Sequence, residues 1–146
     1  MILISHRGNI SGPSLQENSP SFIDAAIHAG FEVEIDVWLN SGELFLGHDN
    51  PQYPVDLEFL NSRPLWCHAK NFNALTYMLE NNITCFWHEE DDFTLTSNNQ
   101  IWTYPLKKVE KRSIIVCKTL EDTQKYAKKD IFGVCSDFVG DIKVNK

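Results

Sequence analysis

"FEVEIDVWLN", residues 31–40, is the stretch on which the reading of this chain turns. Residues 32–38 are rich in β-branched and aromatic side chains and read as a strand. The period of two in a strand sends Glu34 and Asp36 to the same face. Two neighbouring carboxylates repel each other unless a cation sits between them. Hard oxygen ligands of this kind suit Mg²⁺ or Ca²⁺, with Mn²⁺ or Zn²⁺ admitted if an imidazole joins. Standing alone, such a pair is as readily an exposed strand face.

Similar runs recur on both sides of it, at 2–5, 44–46, 65–68, 84–87, 100–103, 114–117 and 132–136. Several are apolar on both faces, as strands covered by helices would be. Helix signals separate some of them. Ser19 reads as an N-cap, followed by Pro20 in the first turn and a Gly30 stop. Asn71 and Thr119 are caps for two further helices, and 55–62 holds a shorter one. Strands alternating with helices predict parallel pairing, and eight strands predict a single α/β domain over 1–146 built as a (β/α)₈ TIM-type barrel. Such barrels usually need roughly 200 residues or more. The barrel must therefore be reduced, with outer helices missing or shortened after 44–46, 84–87 and 100–103. The alternative is an open α/β sheet of fewer strands, with 44–46 and 100–103 paired as hairpins.

Composition narrows the function. The formal charge is −7 and no basic stripe is present, which argues against nucleic acid as partner. No stretch approaches the roughly 20 apolar residues of a membrane helix, and the first residues lack the pattern of a signal peptide. The default compartment is the cytoplasm, and order is expected everywhere except the last few residues. Cys67, Cys85, Cys117 and Cys135 each lie in an apolar run without a CxxC pair, as buried reduced thiols do.

Polar residues gather at the carboxyl ends of the predicted strands, where α/β sheets place their ligands. His6 and Arg7 follow the first, Glu34 and Asp36 lie in the second, His48 and Asp49 end the third, His68 and Lys70 end the fourth, and Asp137 follows the last. His6 and His48 are the natural acid and base for phosphodiester cleavage, because imidazole titrates near neutrality. Arg7 offers the phosphate a fork of N–H donors, and Lys70 neutralises charge developing on its oxygens. Trp38, Trp66, Trp87 and Trp102 read mostly as core, with one of them, Trp87, walling the ligand pocket. A lone strand-end His is usually structural; joint occurrence at several strand ends weighs against that reading. The acidic run at 88–92 reads as a solvated loop, and His28 as a partner of its own helix C-terminus.

The stretches "ISHRGN", "QENSPSFIDAAIHAGFEVEIDVWL" and "GELFLGHDN" resemble the glycerophosphodiester phosphodiesterase family, with its HRG, EN, ExD and HD motifs in order. The match is specific from His6 to Asp49 and looser beyond. The resemblance implies a (β/α)₈ barrel, a divalent metal (Mg²⁺ or Ca²⁺), a small phosphodiester substrate and a place in lipid metabolism. It implies His6 and His48 as acid and base, Arg7 as phosphate ligand, and Glu17 and Asn18 as loop and substrate residues. It also implies Glu34 and Asp36 as metal ligands and Lys70 as charge stabiliser. Where the family has a third acidic ligand this sequence has His68, which favours Mn²⁺ or Zn²⁺ over Ca²⁺. Hydrolysis, cyclisation to a cyclic phosphate, and a non-catalytic phosphate-binding barrel are the competing functions. Strand faces left uncovered by missing helices suggest a homodimer.

Overall fold

The turn after the long strand β2 (Glu32–Asn40) sets the topology. Ser41 and Gly42 both have positive φ, 52° and 78°, the backbone of a two-residue hairpin whose twist matches its strands. β3 (Glu43–Leu46) therefore returns antiparallel, with Val37 opposite Leu46 and Asn40 opposite Glu43. β4 (Tyr53–Val55) continues the meander on β3.

The rest of the sheet is mostly parallel in this computed structural model, which describes residues 1–142. The expectation for the last few residues lies outside them. The earlier half of β2 is flanked by β1 (Ile2–His6) and by β5 (Leu65–Ala69), both parallel to it. β6 (Cys85–Phe86) extends the sheet beyond β5. On the other side β1 pairs with β10 (Gly133–Ser136), which pairs with β9 (Ser113–Cys117) and then β8 (Ile101–Thr103). β7 (Phe93–Leu95) closes that edge as an antiparallel hairpin with β8.

Four short helices pack on the sheet. They are α1 (Pro20–His28), α2 (Leu57–Asn61), α3 (Phe72–Glu80) and α4 (Leu120–Tyr126). Ser19, Asn71 and Thr119 cap α1, α3 and α4 as the sequence indicates, each side chain accepting a backbone N–H from the first turn. Asp56 caps α2 in the same way.

The (β/α)₈ TIM-type barrel is not the fold. The sheet is mixed and curled into a half-barrel, its β2–β3, β3–β4 and β7–β8 ladders are antiparallel, and no ladder joins β6 to β8 among the described residues. The reason lies in the connections: the two-residue turn after β2 cannot hold a helix, and residues 104–112 run from β8 to β9 without one. The ends of the curl touch instead through isolated hydrogen bonds and ring stacking. Ser97 donates its N–H to the Cys85 carbonyl at 2.8 Å and accepts the Cys85 N–H on its hydroxyl at 2.9 Å. Phe86 stacks on Trp102 at 4.3 Å.

Ile4, Trp66, Phe86, Trp102, Ile114 and Cys135 fill the concave face. The convex face carries Val33, Ile35 and Val37 against Ile23 and Ala26 of α1 and Ala74 and Met78 of α3. A separate cluster joins Ile115 and Val134 to Tyr126 of α4. All four cysteines are buried and unpaired. Among the described residues no helix is long and apolar enough to cross a membrane.

Candidate functional site

Strand alternation carries polar side chains upward from the apolar floor of the concave face to the carboxyl ends of the strands. They surround a cavity of about 600 Å³ lined by His6, Arg7, Glu34, His48, His68 and Lys70, with Phe86, Trp87 and Trp102 on its aromatic side. The register of the sheet sets Glu34 beside His6 and Asp36 beside His68.

Glu34 and Asp36 are the chemically decisive pair. They are 3% and 0% exposed. Glu34 Oε2 and Asp36 Oδ1 are buried oxygens without a hydrogen-bond donor, a costly state unless a cation satisfies them. His68 completes a set of three whose ligand atoms lie within 4.8 Å of one another. Its Nε2–H donates to the His88 carbonyl at 3.0 Å, and Nδ1 lies 3.2 Å from Asp36 Oδ1. A backbone carbonyl that fixes one ring nitrogen while the other faces carboxylates is the usual support of a metal-binding histidine. The three residues thus fit a divalent cation.

Burial, together with the Asp36 charge beside it, pushes the Glu34 carboxyl up to about 7. Burial opposes ionisation of Asp36 as well, but His68, Arg7 and Asn18 outweigh it and hold that carboxyl below its usual range. Asn18 grips Asp36 from both sides, donating to Oδ2 at 2.9 Å and accepting its backbone N–H at 3.0 Å. It does so from a left-handed backbone, φ 65°, which Asn tolerates better than most residues. Asn18 is 1% exposed, so its contact is with the carboxylate.

Arg7 Nε lies 3.1 Å from Asp36 Oδ2, and Nη1 lies 3.5 Å from Glu17 Oε2. Glu17 also accepts from Asn9 at 2.7 Å. The loop residues therefore brace Arg7 and, through Asn9, reach Asp137, which accepts from Asn9 at 2.8 Å.

His6 forms a pair with Asp137, its Nδ1 2.8 Å from Oδ1, while Nε2 lies 3.7 Å from Glu34 Oε2. Burial lowers the affinity of the ring for its second proton, but the Asp137 hydrogen bond and the Glu34 charge more than offset this, so its pKa is raised. His48 stands at the rim, 44% exposed, with Nδ1 2.8 Å from Asp49 Oδ1. Its loop is tied to β2 on either side of Gly47, whose N–H donates to the Asp36 carbonyl at 3.1 Å and whose carbonyl accepts the Trp38 indole N–H at 2.7 Å.

The structure therefore brings His6, Arg7, Glu34, His48, His68, Lys70 and Trp87 to one cavity. Glu17 and Asn18 support it from a smaller polar hollow shared with His48. The acidic run divides: His88 and Glu89 line the cavity, while Asp91 accepts from His88 and Asp92 pairs with Lys107. His28 bonds the Asp24 carbonyl within its own helix at 2.8 Å. Sequence reasoning placed Asp137 at the site without its partner, and it missed Asn9, Tyr104 and Lys118. Alternation from Ile114 through Val116 to Lys118 was the available signal for the last.

No protein-family model matches the chain, and no curated protein matches it.

Proposed function

We propose that this protein is a metal-dependent phosphodiesterase acting on a glycerophosphodiester-like substrate. The observation that carries the reading is a buried Glu34–Asp36–His68 cluster, two of whose carboxylate oxygens lack a hydrogen-bond partner, beside the His6–Asp137 pair at one cavity. The motif resemblance between His6 and Asp49 supports the same reaction.

Glu34, Asp36 and His68 would hold the cation, and the imidazole favours Mn²⁺ or Zn²⁺ over Ca²⁺. When bound, such an ion neutralises charge on the phosphate oxygens. Asp137 holds His6 in the orientation that leaves Nε2 facing the cavity, the arrangement needed to pass a proton to or from a substrate oxygen. His48, which lines the same cavity, supplies the second proton-transfer group. Arg7 is held in place by Asp36 and Glu17 and binds the phosphate with its remaining N–H groups, and Lys70 adds positive charge beside it. Cleavage of one P–O bond releases the alcohol with a proton from one imidazole, after the other has taken a proton from the attacking hydroxyl or water.

The test is turnover of bis(p-nitrophenyl) phosphate and a panel of glycerophosphodiesters with Mg²⁺, Ca²⁺, Mn²⁺ and Zn²⁺ in turn. Metal-dependent release that His48→Ala abolishes is expected. Full activity in either His6→Ala or His48→Ala refutes the assignment, and saturable phosphate binding without turnover by any metal would make the protein a binding module.

A further inference from the structure

Lys118 has no role in this scheme, yet it lines the same cavity from an exposed position. β9 runs inward through Ile114 and Val116, and the same alternation brings Lys118 to the cavity it lines. Ser5, Ser136 and Cys117 are neighbours in register across β1, β10 and β9. The next residue on each strand is His6, Asp137 and Lys118, so Lys118 stands two strands from His6, about 10 Å away at the backbone. Lys70 sits at the end of β5, on the other side of β1 and β2. Two lysines thus flank the reaction centre on opposite walls, and among the described residues neither has a carboxylate within 4 Å, unlike Lys107, Lys108 and Lys111.

The wall beside Lys118 differs from that beside the carboxylates. The ammonium lies over the Tyr104 ring at 5.4 Å, and Tyr104 adjoins His88, which adjoins His68. Anything reaching from the metal ligands to Lys118 on this side passes along His88 and Tyr104. A single phosphodiester bound between Arg7 and Lys70 leaves Lys118 without a close ion-pair partner. We propose that Lys118 and Tyr104 form a second anion subsite, so that the substrate is a phosphodiester whose alcohol portion carries its own negative group, a carboxylate or a phosphate monoester.

This rests on the phosphodiesterase reading, and the experiment separates the two. Three p-nitrophenyl phosphodiesters are compared on the full chain, their second alcohol being glycerol, glycerate or glycerol phosphate. The wild type is expected to show a KM for an anionic arm lower by roughly fivefold than for glycerol, the ratio matching one solvent-facing ion pair. Lys118→Gln brings that ratio close to one, and Lys118→Arg preserves it. Preference for glycerate, for glycerol phosphate or for both identifies the group. Equal KM values in the wild type, or a preference that survives Lys118→Gln, overturn the subsite. If none of the three is cleaved, the phosphodiesterase reading fails by itself. Calorimetric titration with glycerol phosphate then decides the subsite, upheld by saturable binding that Lys118→Gln weakens and refuted by no binding or by equal binding.

Discussion

Replacing Glu34 by Gln should make the metal-free protein more tolerant of alkali. The Glu34 carboxyl is buried and pushed from 4.5 up to about 7. A folded-state pKa above the unfolded one means that the native protein binds this proton more tightly. The resulting stability is complete below the unfolded value and is lost as pH rises through the folded one. One pKa unit corresponds to about 1.4 kcal/mol, so the shift amounts to about 3 kcal/mol, of which roughly 2 to 3 is lost between about pH 5 and pH 8. Asp36, held low, stays ionised across that window and contributes no slope. The Glu34 charge also helps raise His6, so the His6 share of the slope falls in the variant in the same direction. Urea melts of wild type and Glu34→Gln in EDTA, read at several pH values, measure the difference in slope. Parallel curves would refute the claim that burial and the Asp36 charge strain Glu34. Mn²⁺ at about pH 8 should restore the wild type and leave the variant unchanged.

Other perturbations reach the same site from different directions. Asn18→Ala removes both hydrogen bonds to Asp36 and puts Ala into a left-handed backbone, and should cost about 2 to 3 kcal/mol in chemical denaturation. Asp137→Asn keeps the size of the side chain but removes the charge that holds His6. It should lower kcat at least about a hundredfold with an unchanged circular dichroism spectrum. His68→Glu supplies a third carboxylate and should shift affinity from Zn²⁺ towards Ca²⁺ in calorimetric titrations. Gly47→Ala would drive a Cβ into the Asn50 carbonyl; the displaced loop carries His48, so activity should fall by about tenfold or more while the melt shifts only modestly.

Local features were legible in the sequence because their causes are local. Ser19, Asn71 and Thr119 satisfy N–H groups three residues away, and the pairing of Glu34 with Asp36 on one face needs only the period of a strand. The architecture was not legible in the same way. The barrel count treats 44–46 as a parallel strand, whereas the Ser41–Gly42 backbone commits β3 to the hairpin of the open-sheet alternative. β4 was missed because Pro54 interrupts its pattern, as is allowed on an edge strand. β7 was missed because Phe93 follows directly on the acidic run. The His6–Asp137 bond joins residues 131 apart in sequence, and only the folded sheet, with β1 beside β10, brings them together.

The central claim is that Glu34, Asp36 and His68 hold a divalent cation beside the His6–Asp137 pair and that the site cleaves a phosphodiester. Phosphorus NMR of a glycerophosphodiester incubated with the purified protein, with Mn²⁺ and then with EDTA, tests it most directly. The account predicts conversion of the diester resonance to a monoester or cyclic ester with Mn²⁺, none with EDTA, and none with Glu34→Gln under either condition. Conversion that persists in EDTA, or in Glu34→Gln, would contradict it.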